Sequence, residues 1–191
     1  MRIISGSARG TKLTTFDGAE IRPTSDRVRG AIFSILTSRL GHFSQKRILD
    51  VFAGSGAMGL EALSRGGANA IFVDQAKQAK QLIQTNRSRC RLDKNTRIIH
   101  QSAQQALPSL NGQQFDLIFM DPPYGNELIP AIIELVAKYN LLAPDGIICA
   151  EEQRNTVIPQ HIKCYEQQDV RHYGATSIYL YSHTESSSTG E

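Results

Sequence analysis

The chain has 191 residues, 40% hydrophobic and 20% charged, with 21 Lys+Arg, 18 Asp+Glu and a formal net charge of +3. That length fits one domain with room for a small appendage, able to bury roughly 70% of its unfolded surface without a disulfide or a metal. Cys90, Cys149 and Cys164 form no C-x-x-C pair and the histidines show no ligand spacing, which argues against a disulfide scaffold or a metal site and for a reducing compartment.

In chain order, Met1 to Gly6 lacks the apolar core of a signal peptide and no later stretch approaches a membrane span, so a cytoplasmic protein is expected. Residues 1 to 23 read as a small arm: strands Arg2 to Ser5 and Lys12 to Thr15 about a glycine-bearing turn, then an extended Ile21-Arg22-Pro23. Thr24-Ser25 can cap a helix from about Asp26, with Val28, Ile32, Ile35 and Leu36 on one face and a stop at Gly41. Residues 1 to 47 carry nine Lys+Arg against three Asp+Glu, a net +6, whereas the remainder carries twelve against fifteen, a net −3. A basic segment joined to a mildly acidic body suggests a polyanion held at one end and chemistry at the other. Arg2, Arg9, Lys12, Arg22, Arg27 and Arg29, with Thr24, are the candidate contacts to that polyanion; Arg27 and Arg29 also suit ordinary helix surface, and Thr24 a plain cap.

From Arg47 strands and helices alternate. Ile48 to Ala53 is followed by a helix after Gly56, and Ala70 to Asp74 by a helix through Leu82 and Ile83. Then come strands at Arg97 to Gln101 and Phe115 to Asp121, a helix from Leu128 to Tyr139, and a strand from Gly146 to Glu151. Near-continuous apolar strands between helices indicate a parallel sheet covered on both faces. Ile162 to His172 and Thr176 to Ser182 have only Gly174-Ala175 between them and should close the sheet as an antiparallel hairpin. The expected organisation is a basic hairpin-and-helix extension over 1–46 suited to that polyanion, a Rossmann-like α/β domain with a mostly parallel seven-stranded sheet over 47–183, and a polar tail over 184–191.

Two segments carry chemistry. Asp50-Val51-Phe52-Ala53-Gly54-Ser55-Gly56-Ala57-Met58-Gly59 places a glycine-rich turn between the first strand and its helix, where backbone can approach a ligand closely. Asp74, twenty positions beyond Gly54, suits a ribose diol in either NAD or S-adenosylmethionine, so the Gly-x-Gly-x-x-Gly spacing does not choose between them. Three features favour S-adenosylmethionine. Asp50 lies inside the approaching strand, where a carboxylate suits a cationic ligand better than a pyrophosphate. No second domain remains for a hydride-transfer substrate. Finally, Asp121-Pro122-Pro123-Tyr124 follows the fourth strand, whose end borders the same crevice. Two prolines make a stiff turn with bare carbonyls. The Asp121 carboxylate and the Pro122 carbonyl can accept hydrogens from a planar amine, and Tyr124 offers a stacking face, an arrangement suited to methylating an exocyclic nitrogen.

Arg2 to Gly6, Arg9-Gly10, Arg22 to Arg29, Asp50 to Gly66 and Asp116 to Tyr124 together closely resemble the bacterial 16S ribosomal RNA guanine-N2 methyltransferase family, small-subunit methyltransferase D. The resemblance runs from Arg2 to about Leu180 and rests on the Arg-Pro-Thr-Ser-Asp-Arg block combined with the Asp-Pro-Pro-Tyr turn. It implies a class I methyltransferase fold and methyl transfer from S-adenosylmethionine to a guanine N2 of 16S rRNA near the ribosomal P site, on assembled or assembling small subunits. The implied catalytic residues are Asp121, Pro122, Pro123 and Tyr124. The implied cofactor contacts are Asp50, Phe52, Ala53, Gly54, Ser55, Gly56, Asp74, Gln75, Ser102 and Ala103. One departure is that Gln101-Ser102-Ala103 stands where the family often ends its third strand in an acidic residue. A DNA amino-methyltransferase shares both motifs but usually carries a target-recognition insertion that this chain has no room for. An RNA-binding assembly factor is the rival outside enzymes. A monomer is expected.

Overall fold

The computed structural model describes residues 1–16, 26–123 and 128–184. Its elements are α1 (Asp26–Leu40), β1 (Arg47–Val51), α2 (Ala57–Ser64), β2 (Asn69–Val73), α3 (Lys77–Arg89), β3 (Thr96–Ile99), α4 (Ala103–Ala106), β4 (Phe115–Met120), α5 (Leu128–Lys138), β5 (Leu142–Gln153), β6 (His161–Ile162), β7 (Tyr165–Tyr173) and β8 (Thr176–His183). Among the described residues the strands form one eight-stranded sheet in the order β3-β2-β1-β4-β5-β8-β7-β6. β1 to β5 pair in parallel, and β8, β7 and β6 continue the sheet antiparallel.

Alternation along the buried strands sorts side chains onto two apolar layers. Leu49, Val51, Ile118 and Met120 pack with Ala103 and Ala106 of α4 and Ile129 and Ile133 of α5. Ile48, Phe72, Leu117 and Phe119 pack on the opposite face with Ile32, Phe33 and Leu36 of α1, Leu60 and Leu63 of α2, and Ile83 of α3. Ile3, Ala8 and Leu13 of the arm belong to this second layer, so the arm is seated on the sheet's own core.

Three local expectations change. The strand expected over 162–172 is broken at Lys163, whose φ is +56°, and the two residues before it fold back on Tyr165 as β6. The eighth strand arises from this turn. The arm's expected strands reduce to a single antiparallel bridge, Arg2 to Lys12, because residues 4 to 8 direct backbone groups at α2 instead. In α1 the buried face is Arg29, Ile32, Phe33 and Leu36 rather than the stripe through Val28 and Ile35. Phe33 sets this rotation: its ring lies 5.6 Å from that of Phe43 and 5.7 Å from that of Phe119, and Arg29, one turn earlier, must follow it inward.

Candidate active site

The site forms where the strand order reverses between β1 and β4, the place where open α/β sheets bind ligands. Val51 is in register with Met120, so Phe52 and Asp121 leave the sheet side by side. The turn after β1 is sharply wound, with positive φ at Phe52 (+61°), Gly54 (+54°) and Gly56 (+78°). For Phe52 that conformation costs on the order of 1–3 kcal/mol and is held by packing on the layer that contains Leu49 and Val51. The Ala53 N–H donates to the Val73 carbonyl at 3.1 Å and the Gly56 N–H to Ala53 at 2.7 Å, which fixes the turn against β2.

Carboxylates shape the crevice. Asp50 is buried, and its Oδ2 accepts from the Gly59 N–H at 2.8 Å. Gly59 has no alternative here, since a Cβ would stand 2.4 Å from the Phe72 ring. Burial raises the Asp50 carboxyl to about 8, the Gly59 bond opposing and Asp74 adding to the rise. Asp74 spans two elements: Oδ2 accepts from Gly54 N–H at 2.9 Å and Oδ1 from Ala76 N–H at 2.8 Å, at the start of α3. It thus braces the glycine turn and the residue that leads into α3. Asp121 is also raised well above the carboxylate range, by burial first and then by Glu151, Asp50 and Glu152. Asp121 nevertheless keeps surface open to solvent, whereas Asp50 is enclosed. Pro122 is buried and Pro123 exposed.

These residues fit S-adenosylmethionine. A buried carboxylate that favours its neutral form becomes a strong partner once a cation arrives, and the glycine turn leaves room for backbone to approach the ligand. At the ends of the next strands, Gln75 is exposed and its carbonyl lies 3.0 Å from His100 Nε2. Ser102, the residue before α4, makes no side-chain capping bond, and Ala103 beside it is buried. Asp50, Gly54, Gly56, Asp74 and Asp121 therefore gather at the carboxyl ends of β1, β2 and β4. Tyr124, Arg22 and Thr24 lie outside the described residues.

Arg2, Arg9, Lys12 and Arg27 are exposed. Arg29 is a correction: expected among the phosphate contacts, its side chain is fully buried, donating to the Arg2 carbonyl and to Asp26 Oδ1. It holds the arm to α1 from inside. Sequence reasoning also missed Glu61 and Ser64, which hold the arm to α2. Buried Glu61 accepts from the N–H groups of Ile4 (2.7 Å) and Ser5 (3.0 Å) and pairs with Arg65 Nε at 2.8 Å. Ser64 Oγ accepts from the Ala8 N–H at 2.9 Å and donates to the Ser5 carbonyl at 2.6 Å. A glutamate inside the otherwise apolar run Leu60 to Leu63 was the available signal.

Residues 1–182 match the family model described as Conserved hypothetical protein 95. The chain is 36% identical over 183 residues to the "Putative rRNA methyltransferase YlbH" of Bacillus subtilis, covering 95% of this chain and 98% of that one. It is 34% identical over 159 residues to the ribosomal RNA small subunit methyltransferase D of Escherichia coli, covering 83% and 78%. Among solved structures, the one described as "Putative methyltransferase yhhF from Escherichia coli" superposes with a TM-score of 0.84 at 31% identity, covering 97% and 99%. A structure described as "a putative methyltransferase complexed with SAH" shares the fold at a TM-score of 0.65 and 15% identity, covering 84% and 50%. The fold is that of class I S-adenosylmethionine-dependent methyltransferases, and the chain belongs to the Conserved hypothetical protein 95 family, as a relative of the small-subunit ribosomal RNA methyltransferases D.

Proposed function

We propose that the protein methylates the exocyclic N2 amine of a guanine in 16S rRNA, within the small ribosomal subunit or its assembly intermediates, using S-adenosylmethionine. The observation that carries this reading is the in-register exit of Phe52 and Asp121, which sets the glycine turn directly beside the Asp-Pro-Pro corner. The 34% identity to a protein named for small-subunit rRNA methylation supports the substrate class.

S-adenosylmethionine supplies an electrophilic methyl group on a sulfonium. The chain's residues do the rest. Asp50 and the turn from Phe52 to Gly56 hold the methionine end, Asp74 and Gln75 the ribose, and Ser102 and Ala103 the adenine. The guanine N2 lone pair is delocalised into the ring, so the amine must be held while it pyramidalises. A carboxyl oxygen of Asp121 and the Pro122 carbonyl accept its two hydrogens, and both bonds strengthen as positive charge develops on nitrogen. Pro123 stiffens the corner and Tyr124 stacks on the base, which must first leave any stack it occupies. Positioning two reactants in line supplies a further large share of the acceleration. The product nitrogen is acidic enough to lose its proton to Asp121 or water.

The test is transfer of tritiated methyl to small subunits lacking this modification, followed by nucleoside analysis. Label in N2-methylguanosine is expected, with a rate reduced roughly a hundredfold by Asp121→Ala, about 3 kcal/mol. Label in N6-methyladenosine, or undiminished transfer by the variant, would overturn the reading.

A further inference from the structure

We propose that Asn86 is a positioning residue that ties the N-terminal arm to the glycine turn, so that cofactor binding at the turn orders the arm that receives rRNA. The inference rests on the function proposed above for those two elements. Asn86 lies on α3 and is fully buried. Its Oδ1 accepts from the Thr14 N–H at 2.8 Å, and its Nδ2 donates to the Thr14 carbonyl at 2.8 Å and to the Ser55 carbonyl at 2.9 Å. Both amide hydrogens are thereby used, on two segments separated by forty residues of chain. Towards Thr14 the side chain acts as a one-residue strand partner, engaging donor and acceptor together. Towards Ser55 it holds the carbonyl lying between Gly54 and Gly56.

A packing role alone does not account for this residue. Ala79, Leu82 and Ile83 share the buried face, where an apolar residue would suit the helix better than asparagine. What asparagine adds is the connection. Other contacts run along the same seam. Arg89 Nη1 donates to Thr14 Oγ1 at 2.7 Å, and Ser55 Oγ lies 3.9 Å from Met1 Sδ. The Phe16 ring lies over Gly54, where a Cβ would meet it at the ordinary contact distance of 3.6 Å. A ligand that fixes the Ser55 carbonyl fixes the Asn86 amide, and through it Thr14. Because coupling is reciprocal, an arm held by RNA would in turn favour the cofactor.

Hydrogen exchange of the peptide covering residues 11–16, with and without saturating S-adenosylhomocysteine, tests this on the full chain. In the wild type, ligand should slow exchange about fivefold or more. In Asn86→Ala, ligand still binds at raised concentration, as calorimetry would record, but leaves exchange at 11–16 unchanged. Asn86→Asp, which keeps the acceptor for Thr14 and loses both donors, should behave the same way, and Arg89→Ala should retain the response. A purely structural role would lower the melting temperature of the Asn86 variants yet leave the ligand-dependent slowing intact, and that result overturns the proposal. So does wild-type protein that binds ligand with no change at 11–16, a result that needs no variant. Wild-type protein that fails to bind S-adenosylhomocysteine at all would overturn the methyltransferase reading, and this inference with it.

Discussion

Asp50 makes the cofactor site a proton-linked one. With its carboxyl at about 8, the free protein at pH 7 holds this group about nine-tenths protonated. A ligand ammonium beside it favours the ionised form, so binding should release about 0.9 proton at pH 7, about half a proton at pH 8 and about a tenth at pH 9. Apparent affinity should then rise almost tenfold per pH unit below pH 8 and level off above it. S-adenosylhomocysteine is the suitable titrant, because it keeps the α-ammonium without the sulfonium. Calorimetry in buffers of different ionisation enthalpy gives the proton count as a slope. Asp50→Asn, which preserves an acceptor for the Gly59 N–H, isolates this contribution from that of Asp121. Stability provides a second reading. A carboxyl raised in the native state binds more protons there than in the unfolded chain between about pH 4 and 8, so this group makes stability fall as pH rises through that window. At pH 7 the interval above 3.8 is about three units, and Asp50→Asn should stabilise the free protein by up to about 4 kcal/mol in urea titrations. Equal proton release by wild type and variant, or a variant no more stable at pH 8 than at pH 5 relative to wild type, would refute the reasoning.

Gly6 lies against α2 with φ +85°, and a Cβ there would stand 1.7 Å from the Ser64 carbonyl oxygen. Gly6→Ala should lift the arm from α2, exposing the first sixteen residues to limited proteolysis and reducing rRNA affinity at least about tenfold. On single-stranded rRNA fragments, Arg9→Ala or Lys12→Ala should each reduce the slope of log affinity against log salt by about 0.7. Arg29→Ala should leave that slope alone and cost about 1–3 kcal/mol of stability instead, the outcome expected of a side chain that faces inward.

Strands, glycine turn and proline corner were legible because each is a local signal: apolar runs between helices, glycines where φ turns positive, two prolines where a strand must stop. Their meeting was legible too, since only adjacent β1 and β4 put Phe52 beside Asp121. What resisted reading depended on long-range partners. Arg29 looks like surface by composition, and only the contact of Phe33 with Phe119, a strand far along the chain, turns it inward. Glu61 and Asn86 occupy positions whose spacing said buried while their chemistry said exposed. That conflict was visible in the sequence, and its resolution, backbone of the arm as the hydrogen-bonding partner, was not. Lys163 carries no turn signature, so its positive φ and the strand break it makes followed from no local rule.

On the proposed function, charge separation explains why base and backbone take different places on this surface. The crevice gathers Asp50, Asp121, Glu151 and Glu152, whereas Arg2, Arg9, Lys12 and Arg27 stand exposed on the arm and α1. The exposed arginines and lysine attract a phosphate, whereas the crevice offers it carboxyl groups and, wherever one of these is ionised, repulsion. The backbone is thus kept on the basic arm, and what can enter the crevice is a base edge that donates hydrogens. An exocyclic amine can give one hydrogen to an oxygen of Asp121 and the other to the Pro122 carbonyl, which a carbonyl oxygen cannot do. This filter acts before any methyl is transferred, and neutralising Asp121 weakens the filter and the catalytic acceptor together.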